Sequence, residues 1–252
     1  SLFFFHIRGF LARNLKVCAK VQKNLVKKNG FLIFFVSLHK NSLQTSKMTE
    51  INQYRQELKD RIISYAMPEF YKRGVKAVKM DEISQGLHVS KRTVYEIFGD
   101  KEELLLAGMM RQLEENRSKL ENFAKTQAKN VIDIISYVYK LQMERNGMVG
   151  VLFYEEVHKM PRVVKFFQEN HAHEREESVR FFEAGVKEGL FRKDVDFNVV
   201  MDIGHIMMEE IMHHQIYRIH SMQEIYNNYI LCFIRGFCTE RGLEQLDRAL
   251  NE

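Results

Sequence analysis

The stretch that most constrains this chain is MDEISQGLHVSKRTVYEIF, from Met80 to Phe98. It holds two short apolar-periodic segments separated by a polar turn far too tight for a hairpin of ordinary helices. Met80, Ile83, Ser84 and Leu87 fall at helical spacing in the first segment, and Ser90, Val94, Ile97 and Phe98 in the second. Each segment therefore buries one narrow stripe. The second leaves Lys91, Arg92, Thr93, Tyr95 and Glu96 on its outer side, a mixture of cations, a hydroxyl and a phenol that suits a phosphate-lined groove better than an apolar partner. Ser90 stands where an N-cap is expected, and His88 holds the turn position that is usually left-handed. This is the layout of a helix-turn-helix.

Two prolines and 13 glycines in 252 residues are few breakers, so the fold class expected is all-α. The net charge of +5 is unevenly spread. Residues 1–47 carry nine Lys/Arg and no Asp/Glu, leaving 29 cations against 33 anions in the rest. Within that remainder, Tyr54 to Lys101 has ten cations against seven anions, and Glu102 to Glu252 has 19 against 25. A small basic head on an acidic body points only the head at a polyanion. Cys18, Cys232 and Cys238 form no close pair, which argues against a disulfide framework or a zinc site and suits a reducing cytoplasm.

Residues 1–47 show no sustained period, and the apolar run Phe31 to Leu38 is too short for a spanning helix, which needs about 20 residues. They are read as a non-native or disordered leader, with Met48 as the natural start and no membrane partner. From Ile51 to Arg73, Leu58, Ile62, Ala66 and Phe70 recur every four positions as a first helix covering the motif, bent near Ser64 to Pro68 and stopped by Gly74. Lys79 falls at the N-cap of the second helix.

The segment GVKAVKMDEISQGLHVSKRTVYEIFGDKEELL resembles the DNA-binding signature of the TetR family of bacterial transcriptional regulators. The resemblance rests on Ser90, Lys91, Thr93, Tyr95 and Phe98 followed by Lys101, Glu102, Glu103 and Leu104, and covers about fifty residues. It implies an N-terminal three-helix DNA-binding domain, here 48–101, and a C-terminal helical ligand-binding and dimerisation domain, 102–252. It further implies that Lys91, Arg92, Thr93 and Tyr95 face DNA, with Ser90 beside them, and that Lys101 reaches a backbone phosphate. Two departures are Lys79, where the family has Thr or Ser, and His88, where it has Gly. At Lys79 a charged contact replaces a hydroxyl one.

The body reads as helices from Asp100 to Ala124, Val131 to Met143, Met148 to Lys159, Pro161 to Glu188, Asp196 to His220 and Met222 to Glu240, followed by a short tail. The penultimate helix carries Val200, Ile203, Met207 and Ile211, and the last carries Tyr226, Ile230, Phe233, Ile234 and Phe237. That is more apolar surface than one packed face requires. Met207, Ile211, Tyr226, Ile230, Phe233, Ile234 and Phe237 are therefore candidates for a homodimer interface, which two recognition helices on a palindromic double-stranded operator also require. Met143, Phe153, Tyr154, Phe166, Phe167, Met201 and Met208 offer an adaptable apolar lining for a small apolar or amphipathic ligand, with His205 among them.

These features point to a cytoplasmic, ligand-responsive DNA-binding regulator, a repressor released by a small molecule, needing no cofactor. A rival is a metal-dependent enzyme built on His205, Glu209 and His213, one turn apart but without a visible fourth ligand. Another is an architectural DNA binder that answers to no ligand. No Gly-rich phosphate loop or nucleophile elbow supports an enzyme, and no metal site is assigned.

Overall fold

The computed structural model describes the backbone of residues 42–251 and, apart from residues 42–52 and 167–177, their side chains. Phe167, a candidate pocket residue, lies outside the described side chains, and residues 1–41 of the expected leader lie outside the described backbone. Helix α1 spans Ser42–Arg73, so it reaches back across the expected boundary at Met48. It continues through Pro68 without a break. Just upstream of that proline, Arg111 of the fourth helix donates to the Asp60 carbonyl at 3.0 Å and to Ser64 Oγ at 2.9 Å. The inner face of α1 buries Leu58, Ile62, Ala66 and Phe70 at the spacing expected. Gly74, at φ +82°, ends the helix, its N–H returning to the Phe70 carbonyl.

Two seven-residue helices follow, α2 (Met80–Gly86) and α3 (Lys91–Ile97), and both pack against α1. Then come α4 (Lys101–Thr126), α5 (Val131–Met148), the short α6 (Val151–Val157) and α7 (Pro161–Lys187). Asp100 caps α4 by accepting the Glu103 N–H, and Asn130 caps α5 through Ile132 and Asp133. Asp100 also receives Arg162 Nη1 of α7, so the starts of α4 and α7 are pinned together. Helix α8 is Phe197–His213, shorter than expected, because Gln215 at φ 54° turns the chain into a 3₁₀ segment, Ile216–Arg218. The next rod is α9 (Met222–Ile225), a π turn (Tyr226–Ile230) and α10 (Leu231–Phe237). What reads as a tail is a twelve-residue helix, α11 (Glu240–Asn251), packed on α5 through Leu246.

The fold is all-α, a helix-turn-helix domain followed by a larger helical one, and no β-strand occurs among the described residues beyond a single bridge between Phe191 and Cys238. An aromatic cluster fastens the far end of the body. Phe182 stacks on Phe197 with centroids 4.6 Å apart, and Phe191 and Phe237 meet both edge-on or tilted. No described helix is long and apolar enough to cross a membrane.

Candidate nucleic-acid interface and ligand pocket

The turn between α2 and α3 forms because His88 adopts φ 55°, a left-handed conformation that lets the Val89 N–H return to the Ser84 carbonyl at 3.0 Å. Gly86 lies against Tyr65: a Cβ there would fall 2.2 Å from the Tyr65 hydroxyl, so the ring would have to swing aside. Ser90 caps α3, its Oγ accepting the Thr93 N–H at 3.0 Å and sharing a hydrogen bond with Thr93 Oγ1 at 2.7 Å. Two α1 arginines satisfy carbonyls at the C-terminal ends of the short helices: Arg55 donates to Glu96 O at 3.0 Å and Arg61 to Leu87 O at 3.4 Å. Sequence reasoning did not single out either arginine, since neither belongs to the motif.

With Val94 and Phe98 buried, α3 turns Lys91, Arg92 and Tyr95 to solvent and keeps Thr93 half-buried. Arg92 has 88% of its side chain exposed and is paired with Glu96, 2.7 Å away. Lys91 bonds Asp81 at 2.8 Å, linking α3 to α2, and stands over the Tyr95 ring at 5.9 Å. Their carboxylate partners raise the Lys91 and Arg92 pKa values, so both are cationic at neutral pH. Lys79 is exposed at the N-cap of α2 without a side-chain capping bond.

Lys101 is placed differently from the α3 cations. Half-buried, it donates to the Lys76 and Val78 carbonyls at 3.0 and 2.8 Å, and desolvation lowers its pKa against the pull of Glu156 and Glu82. It clamps the loop that leads into α2. From the other side Glu156 Oε2 accepts the Lys76 N–H at 2.8 Å, and the Gly150 N–H bonds the Tyr71 carbonyl at 2.8 Å. The short α6 thus braces the C-terminal end of α1 and the entry to the motif.

In the body, Phe153, Tyr154, Met201 and Met208 are buried, while Met143, Phe166 and His205 are half-buried. His205 lies 3.2 Å from Glu209, and His213 is exposed beside His214. Among the described residues His205, Glu209 and His213 do not form a group able to hold a metal. Around Tyr154 the structure assembles polar residues that sequence reasoning left aside. Asn146 Oδ1 accepts Gln142 Nε2 and Tyr154 Oη, each at 3.2 Å, and the same amide hydrogen-bonds the Tyr226 phenol, while Tyr217 Oη has no hydrogen-bond partner among the described residues. A buried polar group left unpaired costs about 1–3 kcal/mol. Burial pushes the Tyr154 phenol up to about 12 and the Tyr226 phenol well above its ordinary value. Asn146 belongs to no sequence motif, and its part in the core shows only once Tyr154 and Tyr226 are packed against it.

Of the expected interface residues, Ile211 on α8 and Tyr226, Ile230, Ile234 and Phe237 on the π turn and α10 are buried within the single chain. Met207 stays exposed and Phe233 half-buried. Val199, Ile203 and Ile206 join Met207 in an exposed apolar stripe on α8. Beside it an open groove of about 440 Å³ is lined by Met207, Ile211, Ile216, Ile225 and Tyr229, with His220, Glu224 and Asn228.

Residues 62–107 match the family described as bacterial regulatory proteins, tetR family. No curated protein matches the chain in sequence. The structure of the ketosteroid transcriptional regulator KstR2 of Mycobacterium tuberculosis is similar over 72% of this chain and 95% of that chain, at 20% identity and a TM-score of 0.46, too loose a likeness to carry weight. The family match lies on the stretch that contains α2, α3 and the start of α4, where Ser90, Arg92 and Tyr95 are displayed. The match thus falls on the helix-turn-helix domain, which is similar to that of the tetR family of bacterial regulatory proteins.

Proposed function

We propose that the chain acts as a homodimer that lays two α3 helices on a palindromic operator, and that a small apolar or amphipathic molecule bound in the 102–252 domain releases it. The head is taken as 48–101. One observation carries the DNA side of this reading: α3 buries Val94 and presents Lys91, Arg92 and Tyr95 outward from a rigid, capped turn. Arg92, exposed at the first turn, is the residue for a guanine edge. Ser90, Lys91, Thr93 and Tyr95 set its register on the backbone, with Lys79 and Lys101 at the flanks. Release follows a population shift: a ligand that prefers one arrangement of the body changes the separation of the heads, and operator DNA weakens ligand binding by the same factor.

The test is selection of bound sequences from random duplex DNA by the purified chain, followed by binding isotherms. A palindrome with half-sites about one helical turn apart, ~34 Å, is expected. Arg92→Ala should flatten the difference between selected and scrambled sites, whereas Lys101→Ala should weaken all sequences alike. Equal losses on every sequence for Arg92→Ala would overturn its assignment.

A further inference from the structure

The geometry points to the groove between α8 and the π turn as a binding site for an amphipathic organic cation, its apolar body on the groove floor and its ammonium head at Glu224 and Asn228 on the rim. This rests on the ligand-released reading above and gives it a place and a chemistry. At about 440 Å³ the groove is within the range of small-molecule sites, roughly 300–1,000 Å³. The buried Ile211 and Ile225 form its floor together with the half-buried Ile216 and Tyr229. Two departures from regular helix build it. The chain leaves α8 through Gln215 at φ 54°, a left-handed conformation one residue before Ile216, and the π turn carries Asn228 and Tyr229. Strained residues of this kind and single π turns recur at binding sites.

The rim selects the charge. Glu224 Oε2 accepts the Ser221 N–H at 2.7 Å and the Ser221 hydroxyl at 2.9 Å, which fixes the carboxylate in place. Those two bonds hold its pKa below the ordinary carboxylate range, so it is anionic at neutral pH. Asn228 Nδ2 donates to the Glu224 carbonyl at 2.9 Å, so Oδ1 is the end that can meet a ligand, and it can only accept. Among the described residues that line the groove there is no Lys or Arg, and the exposed His220 completes the rim. A carboxylate, an amide oxygen and the Tyr229 ring are the partners an ammonium takes, whereas the centre of an interface between two copies is poor in charged groups. The groove also has a route to DNA. Ile216 shares its 3₁₀ turn with Arg218, which pairs with Glu155 of α6 at 2.6 Å. The next residue, Glu156, holds the Lys76 N–H at the entry to the helix-turn-helix, so a ligand that moves Ile216 pulls on the brace of the motif.

The experiment uses the full chain and three probes of one shape: 4-phenylbutylammonium, 4-phenylbutanol and 4-phenylbutanoate. Thermal unfolding and operator binding are measured in the same samples. The ammonium should raise the Tm with concentration, as a native-state ligand does, the alcohol less and the carboxylate least. Glu224→Gln keeps the capping box, in which Gln can stand for Glu, so the Tm without probe should hardly change. The same variant should bind the ammonium about tenfold more weakly and no better than the alcohol. Arg218→Ala should leave the Tm shift given by the ammonium in place and remove its effect on operator binding.

Equal shifts with all three probes, or none with any, would overturn the assignment. So would a Glu224→Gln protein that keeps the full preference for the ammonium. If the ammonium binds only at protein concentrations where sedimentation shows a monomer, a second copy fills the groove and the assignment fails as well. An ammonium that binds through Glu224 yet leaves operator affinity unchanged would keep the site and sink the release model instead.

Discussion

Glu156 Oε2 accepts the Lys76 backbone N–H at 2.8 Å, joining the short helix α6 to the loop from which α2 begins. Lys101 Nζ takes the carbonyl of the same residue at 3.0 Å, so the Lys76 backbone is gripped on both its donor and its acceptor. Nothing in the local sequence calls for this. A loop of Val, Lys and Ala has no turn chemistry of its own beyond Gly74, and the body supplies its order.

Removing that grip should loosen the motif locally. Glu156→Ala is expected to cost about 1.5–3 kcal/mol, the range of a hydrogen bond to a charged acceptor. Amide exchange at Lys76 should quicken about tenfold or more as a result. Glu156→Gln keeps an acceptor oxygen and should restore most of the protection. Unchanged exchange at Lys76 in Glu156→Ala would show that the contact holds nothing.

At the turn, His88 sits at φ 55°, where a side chain strains against its own backbone. His88→Gly relieves that strain, although the freer unfolded chain offsets part of the gain. A net rise of about 0.5 kcal/mol is expected, seen as a higher urea midpoint at an unchanged slope. His88→Val should move the midpoint the other way. If both variants matched the parent, the left-handed turn would not be formed in solution.

The stretch Met80–Phe98 was legible because its constraints are local: stripe spacing, an N-cap serine and a turn position all lie within a few residues of one another. The body was less so. Residues Leu243, Leu246 and Leu250 recur at helical spacing, and the signal for α11 was present but overshadowed by the breaker-like Cys238 to Gly242. The two apolar faces of the last long helices could not be ranked from periodicity, because it does not say which face meets the chain's own core. Asn146 and Tyr217 acquire meaning only once α5, α6 and the 3₁₀ segment are brought together.

On the exposed side of α3, Glu96 pairs with Arg92 at 2.7 Å and places an anion beside the residue assigned to read DNA. The pair is solvent-exposed, so it contributes only about 0.3–0.5 kcal/mol to the helix. Glu96→Gln should therefore leave stability nearly unchanged while tightening binding to any duplex severalfold at low salt. The gain should fade as salt rises, since it is an unscreened repulsion that has been removed. No gain at any ionic strength would mean that this face does not approach a polyanion.

Along α8, Val199, Ile203, Ile206 and Met207 form one exposed stripe while Met201, Met208 and Met212 on the other side are core. On the neighbouring rod Cys232 is exposed and a Cβ at Gly236 would meet nothing within 4 Å, which leaves room for a helix of a second copy to come close. Burying an isoleucine stabilises by about 1.5–3 kcal/mol, so charging two of them should break the association without unfolding the chain. The double variant Ile203→Asp, Ile206→Asp is expected to sediment as a monomer with unchanged far-ultraviolet dichroism. Its operator affinity should fall steeply, because each head alone spans a single half-site. Phe237→Ala, by contrast, removes a core ring and should unfold the protein at a lower temperature. A double variant that stays dimeric would move the interface off α8, whereas a monomer that holds the palindrome as tightly as the parent would remove the need for two heads.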